Sequence, residues 1–402
     1  MEAKVKLARR ICEVQPSATL ATDAKARQLQ AQGMDIIGFS VGEPDFNTPE
    51  HIVAAGAAAM KAGDTKYGAK RGAELKKLVA EKLKRENALE YNPENIIVSN
   101  GAKQSLYNIM QVVVDEGDEV IIPAPYWVSY LEQVRLAGGK PVILPTNEET
   151  GFKITPQQLA QAITPRTKLF IHNSPSNPTG AVYTPAEIQA IGAVIEKAGI
   201  VALSDEIYEH LIYSDTPPLS LAVVSPGLRK QVVTINGCSK TFSMTGWRIG
   251  WAAGPDEIIK AALKFQSHAT SDPAAFSQAA AAEAYKDLNQ SAAAVGNMRR
   301  QFDMRRKRMH SRLNKLPGVT CLEPMGAFYC FPNVSGVFGR NLSGVSIGSP
   351  MNFCNAALEK AGVALVPGEA FGSSQHVRLS YATSLELIDK GLDRLEKMLN
   401  EG

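Results

Sequence analysis

Lys240 and Arg248 share one short stretch, Ser239-Lys240-Thr241-Phe242-Ser243-Met244-Thr245-Gly246-Trp247-Arg248-Ile249-Gly250, which follows the apolar run Val232-Val233-Thr234-Ile235. A lysine amine becomes a nucleophile toward an aldehyde when burial or neighbouring positive charge lowers its pKa. An arginine nearby supplies such charge, and its planar fork also grips a phosphate. Together they suit a Schiff-base lysine beside a phosphate site. Taken alone, the pair reads more readily as two surface charges, so the other candidates must decide.

Asp205, in Leu203-Ser204-Asp205-Glu206-Ile207-Tyr208, sits directly after an apolar run. A carboxylate there can keep a pyridine nitrogen protonated, as an electron-accepting ring requires; it also fits a helix N-cap. Tyr208, three positions on, faces the same way if a helical turn begins here, and its hydroxyl suits a phenolate oxygen. Gly101-Ala102-Lys103-Gln104-Ser105 opens a helix after a strand, offering backbone N–H groups to a phosphate. Its spacing is not that of a Walker loop. Asn177 precedes Pro178 in a stiff loop, Asn173 to Gly180, that aims its amide; an ordinary Asn-Pro turn reads the same way. Trp127 offers a flat face to an aromatic ring, or fills a core. Arg378 is an isolated arginine in an apolar run. It must be paired, by a substrate carboxylate or a structural partner. The combination calls for pyridoxal phosphate.

Seven apolar runs alternate with amphipathic stretches between residues 50 and about 290: Ile96–Val98, Glu119–Ile122, Val142–Leu144, Leu169–Ile171, Ile200–Leu203, Val232–Ile235 and Ile249–Ala252. That alternation predicts an α/β fold with a mostly parallel sheet covered on both faces. In such sheets ligands bind beyond the carboxyl ends of the strands. Asn100-Gly101, Tyr126-Trp127, Asn173 to Asn177, Asp205 and Lys240 all fall there. Beyond about residue 295 the pattern becomes a smaller α+β unit. The resulting division is 1–49 as an N-terminal arm and part of the small unit, 50–295 as a large cofactor domain, and 296–402 as a small C-terminal domain. The Gly- and Ser-rich stretch from Arg340 to Pro350 reads as a surface loop.

The 402 residues exceed one simple core, and 43 basic against 40 acidic residues leave a formal charge of only +3. The densest basic run, Arg305-Arg306-Lys307-Arg308, lies on a helical pattern and reads as a solvated face, not a nucleic-acid patch. Five cysteines without a CxxC pair argue against a disulfide framework or a zinc site, so no metal is expected. No apolar run reaches the roughly 18 to 20 residues that cross a bilayer, and Met1 to Lys6 has no apolar leader segment. A soluble, cytoplasmic protein is expected.

In combination these residues resemble the class I aminotransferases, pyridoxal phosphate enzymes of fold type I, and within them the bacterial and plant branch of aspartate aminotransferases. The resemblance runs from Pro16-Ser17-Ala18-Thr19 and Gly42-Glu43-Pro44-Asp45-Phe46 to Arg378-Leu379-Ser380-Tyr381-Ala382-Thr383-Ser384, with six loops matching in order. It implies that Lys240 binds the cofactor and shuttles the substrate proton, and that Asp205 pairs with the ring nitrogen. Tyr208 and Asn177 hold the ring oxygen, and Trp127 stacks on the ring. Gly101, Ala102, Lys103 and Arg248 hold the phosphate. It implies that Tyr67 reaches the phosphate of a neighbouring subunit, making a homodimer with shared sites. Arg378, Asn177 and the Gly42 backbone bind the substrate α-carboxylate; Lys103 and Thr19 meet a distal one. The Ala124–Pro125 and Asn177–Pro178 bonds are cis by the same resemblance. The implied reaction is L-aspartate plus 2-oxoglutarate giving oxaloacetate plus L-glutamate, in ping-pong fashion. A bifunctional aspartate/prephenate aminotransferase, or another aminotransferase or C–S lyase with this cofactor, is the alternative. Prephenate-active relatives often carry a lysine where this chain has Gln15.

Overall fold

The computed structural model describes residues 5–214, 219–342 and 344–401. Most of the leader-segment reading, Met1 to Lys4, therefore lies outside the described residues. All seven apolar runs form strands of one sheet: β1 (Ile96–Asn100), β2 (Glu119–Ala124), β3 (Lys140–Pro145), β4 (Thr167–Asn173), β5 (Val201–Asp205), β6 (Val232–Gly237) and β7 (Ile249–Ala253). Their spatial order is β1-β7-β6-β5-β4-β2-β3, parallel except for β7, which runs against both β1 and β6.

Alternate residues of each strand enter two separate cores. Val98, Ile121, Phe170, Ala202 and Val232 pack on one face; Ile97, Val120, Ile122, Leu169, Ile171, Leu203, Val233 and Ile235 pack on the other. Side chains alternate across a strand, so burying both faces demands uninterrupted apolar runs. That is why the pattern was readable.

The antiparallel β7 has a consequence for the site. Its first residues lie at the sheet edge where the parallel strands end, opposite Asn100 and Gly237. Arg248, just before β7, therefore arrives at the same edge as Asn173, Asp205 and Lys240. Gly250 permits this approach, because a Cβ there would collide with the Ala102 amide at the start of helix Ala102–Val113.

Beyond helix Leu288–Leu313 lies a three-stranded antiparallel sheet in the order β9-β10-β8, with β8 Tyr329–Cys330, β9 Val366–Pro367 and β10 Val377–Ser380. Ile37 and Gly38 pair in parallel with Val363 and Ala364, and Phe39 joins the apolar cluster of this region. The stretch 340–350 is not a plain loop. Asn341–Leu342 and Val345–Ser346 form a small hairpin that anchors the buried Leu342 and Ile347.

The basic run on helix Leu288–Leu313 also differs from expectation. Arg305 and Arg306 are buried. Arg305 makes two hydrogen bonds to Asp45, at 2.7 and 3.0 Å, and lies over the Phe46 ring; Arg306 pairs with Asp303 and Glu323. Charged heads matched this way can sit in a packed face that composition alone assigns to solvent. Among the described residues the cysteines are all free, with Cys12 alone exposed, and no helix is long and apolar enough to cross a membrane. Ala124–Pro125 and Asn177–Pro178 are cis, as is Ser174–Pro175.

Candidate active site

Beyond the carboxyl ends of the strands lies a cavity of about 410 Å³. Lys240, Asp205, Tyr208, Asn177, Trp127, Ala102, Lys103, Arg248, Arg378, Gly42 and Thr19 all line it. Two of the residues picked from sequence do not. Gly101 lies just behind, with φ +85°, and a Cβ there would strike the Arg248 guanidinium. Glycine is therefore needed both for the turn and for the arginine's seat. Tyr67 is 88% exposed and stands away from this chain's own cavity.

Lys240 follows β6 on a single helical turn, Cys238–Thr241, and its amine donates to the Gly42 carbonyl. Burial, with Arg378, Arg248 and Lys103 nearby, brings its pKa down to about 8 against the opposing pull of Glu43. An appreciable share of the amine is thus unprotonated near neutral pH, as a nucleophile or base requires.

Asp205 ends β5, fully buried. Its Oδ2 accepts from the Tyr130 hydroxyl at 2.6 Å and its Oδ1 from the Ile207 N–H at 3.2 Å. Burial raises the carboxyl pKa to about 6, while those donors and Lys240 pull it down. A cation set beside it would keep it ionised. The residues after it form a turn rather than a helix, yet that turn still brings Tyr208 into the cavity. The Tyr208 hydroxyl bonds to that of Tyr329 at 2.9 Å.

Arg378 projects from β10, which the three-stranded sheet sets across the cavity from β5 and β6. Its Nη1 donates to Asn177 Oδ1 at 3.0 Å and its Nη2 to the Ser40 carbonyl at 2.7 Å, while its guanidinium lies 4.5 Å from the Tyr329 ring centre. Its Nε is buried without a partner among the described residues. Such an orphan in a fully buried cation calls for an acceptor delivered from outside the chain.

At the other end, the Gln104 and Ser105 amides return to the Gly101 carbonyl, and those of Ala102 and Lys103 meet no acceptor among the described residues. Arg248, with φ +56°, donates to the Thr245 and Asn100 carbonyls and flanks the same helix start. Lys103 places its amine 4.8 Å from the Trp127 ring centre, and burial, with Arg248 adding, lowers its pKa. An orphaned guanidinium, two free amides at a helix start, a second arginine and a low-pKa lysine fit one anionic group at each end and an aldehyde between them. Pyridoxal phosphate has that shape and charge.

Two contacts were not legible beforehand. Tyr130 stands three residues after Trp127 on helix Val128–Leu136, so spacing could have flagged it as a neighbour of the same site. Tyr329 carried no signal, because its partners are set by the pairing of β8 with β10, which no local pattern announces.

Comparison with known proteins agrees with this geometry. The family described as aminotransferase class I and II matches residues 34–395. An aspartate aminotransferase of Geobacillus stearothermophilus is 49% identical over 98% of this chain and 99% of its own. An aspartate/prephenate aminotransferase of Cereibacter sphaeroides is 48% identical over 96% of each. The crystal structure of the aspartate aminotransferase from Rhizobium meliloti superposes with a TM-score of 0.94 at 41% identity, covering 99% of both chains.

Proposed function

The chain belongs to the class I and II aminotransferases, and from that premise we propose that it is a pyridoxal phosphate-dependent aspartate aminotransferase, exchanging L-aspartate and 2-oxoglutarate for oxaloacetate and L-glutamate. The observation that carries this reading is the pairing of a low-pKa Lys240 with a buried Arg378 whose Nε has no partner among the described residues, both facing one cavity. When bound, pyridoxal phosphate supplies a carbonyl carbon for amines and a protonated ring that takes up electrons.

The chain's own residues do the rest. Ala102 and Lys103 amides with Arg248 would hold the phosphate, Trp127 would cover the ring, and Tyr208 with Asn177 would donate to the ring oxygen. Asp205, ionised between the Tyr130 and Ile207 donors, would hold a proton on the ring nitrogen. Arg378 and Asn177 fix the substrate α-carboxylate, which aligns the Cα hydrogen toward Lys240. Lys240 Nζ then takes that proton from Cα and delivers it again on the far side of the exchange, a task its pKa of about 8 suits. Lys103 and Thr19, both on the cavity wall, would meet a second carboxylate, which would favour aspartate and glutamate over neutral amino acids.

The exposed Tyr67 fits a role in the neighbouring site of a homodimer. The same reading carries the division at residues 49 and 295 and a cytoplasmic setting. Transamination of prephenate as well is the second reading, favoured by the name of the Cereibacter relative. Gln15, where prephenate-active relatives often carry a lysine, stands against this second reading, although it lies outside the cavity lining.

The test is a half-reaction titration. The purified holoprotein receives aspartate, glutamate, prephenate, phenylalanine or cysteine in turn while its visible absorption is followed. Aspartate and glutamate are expected to convert the band at the lowest concentrations. A preparation with no visible band, or one unmoved by aspartate, overturns the assignment; a response to prephenate at similar concentrations establishes the bifunctional reading.

A further inference from the structure

We propose that Tyr329 is a positioning residue that donates its hydroxyl hydrogen to Tyr208, leaving the Tyr208 hydrogen free to point at an anionic oxygen in the cavity, while its ring carries the Arg378 guanidinium. This rests on the cofactor reading above. Two buried hydroxyls 2.9 Å apart share only one hydrogen between them, so the direction of that bond decides what the cavity is offered. If Tyr208 donates to Tyr329, the cavity sees a lone pair; if Tyr329 donates, it sees an O–H.

The surroundings choose the second arrangement. Arg378 lies 4.5 Å over the Tyr329 ring, drawing electron density from that phenol and making its hydrogen the more readily given. Tyr208 instead stands near the Asp205 carboxylate, which discourages any loss of its own proton. Burial raises the pKa of both phenols. Arg378 pulls both down, but at Tyr329 nothing besides burial opposes that pull, whereas Tyr329 and Asp205 add to the rise at Tyr208. The more acidic phenol is the donor.

Strand pairing holds the arrangement. Tyr329 faces Ser380 across β8 and β10, and Arg378 is two positions along the same face of β10. Gly42, whose carbonyl receives Lys240, leaves room for the hydroxyl, since a Cβ there would come within 2.8 Å of Tyr329 Oη. One side chain thus touches Tyr208 and Arg378 and fills the space beside Gly42, whose carbonyl receives Lys240. A chain of donors strengthens each link in turn, so Tyr208 gives a stronger bond with Tyr329 behind it than without.

The charged and titratable groups facing Tyr208 are Asp205 from β5, Tyr130 from helix Val128–Leu136, Tyr329 from β8 and Arg378 from β10, with Lys240 from the turn after β6 across the cavity. Weaker donation to the ring oxygen leaves negative charge there less stabilised. The proton shared with Lys240 is then held to higher pH.

The test uses the holoenzyme. Tyr329→Phe keeps the ring under Arg378 and removes only the hydroxyl. The pH midpoint of the cofactor's visible band is expected to rise by about half a unit to one unit, and the cofactor dissociation constant by about 3- to 10-fold, the scale one hydrogen bond commands. KM for aspartate should change little while kcat falls. In a Tyr208→Phe background the same substitution should add nothing, because the relay already lacks its second link. Placing 3-fluorotyrosine at 329 strengthens the donor and should move the midpoint the other way, which keeps the test open if the phenylalanine variant folds poorly. An unmoved midpoint and dissociation constant in Tyr329→Phe, or an equal shift in the Tyr208→Phe background, overturns the proposal. A parent protein without a visible band would instead remove the cofactor reading itself.

Discussion

The turn after β5 sends Asp205 and Tyr208 into the cavity, while Glu206 and Glu209 turn away from it into a second buried cluster. In that rear cluster Glu209 accepts from Asn236 at 2.6 Å and from Asn87 at 2.9 Å, and it pairs with Lys82 from helix Ala69–Asn87. Glu206 accepts from Ser204 and Ser220, each at 2.8 Å. Every one of these groups meets its partner within the chain. The cavity is different: Lys240, Arg378, Arg248 and Lys103 face Asp205 and Glu43, with Arg27 and Asp23 paired at its wall, and Arg378 Nε has no partner among the described residues. Both regions are buried and charged, yet only one carries an excess of positive charge waiting for an anion. Perturbed acidity does not separate them, since burial pushes Glu206 in the rear up to about 7 just as it pushes Asp205 up to about 6. What separates them is unmet hydrogen-bonding capacity.

The contrast is broken most directly at Lys240. Lys240→Ala should leave the fold and the far-UV circular dichroism unchanged while turnover falls by roughly ten-thousand-fold or more, because nucleophile and proton carrier are lost together. Activity retained within tenfold would mean that the cavity does not work through this amine.

The rear cluster should respond in the opposite way. Lys82→Met leaves Glu209 without its buried counter-charge, a loss expected to cost about 3–5 kcal/mol of unfolding free energy. Turnover per folded molecule should stay within a few-fold of the parent. Denaturant unfolding and active-site titration measure the two sides separately. A variant as stable as the parent, or one that is stable but inactive, would erase the division between scaffold and site.

The same contrast explains what could be read before the structure. The sheet was legible because burying both faces forces uninterrupted apolar runs, and the polar residues ending those runs named most of the cavity. Arg248 was legible by its nearness to Lys240, but its place at the strand ends depends on β7 running antiparallel. The buried Arg305 and Arg306 were misjudged because their partners Asp45 and Glu323 lie elsewhere in the chain. Tyr329 was invisible for the same reason: the pairing of β8 with β10 is long-range. Local pattern reveals elements and their ends, whereas partners across elements emerge only with the fold.

Lys103 tests how far the excess positive charge selects substrate. Lys103→Met keeps the stem beside Trp127 and removes the charge. The ratio of kcat/KM for aspartate over phenylalanine should fall by about 10- to 100-fold, equivalent to about 1.4–2.8 kcal/mol. An unchanged ratio would assign the distal carboxylate to another group at the mouth, such as Arg27, which is now paired with Asp23.

The smallest expected effect is a matter of slope. Glu206 has an ordinary carboxyl pKa of 4.5 and is held at about 7 in the fold by burial and by Glu209, against the pull of Ser204 and Ser220. Between those two values the folded chain keeps a proton that the unfolded chain has released. Stability therefore falls as pH rises through that window and levels off above about 7. Glu206→Gln carries no such proton but can still accept from both serines. Its unfolding midpoint should lose less between pH 5 and pH 7.5, by about a few degrees, and the two curves should converge toward pH 4.5. Asp205 imposes a slope of the same sign, but it is common to both proteins and drops out of the difference. Parallel curves would show that Glu206 is already ionised at neutral pH. Lys82 would then serve two carboxylates at once, and the rear cluster would no longer be the fully matched region that the cavity is set against.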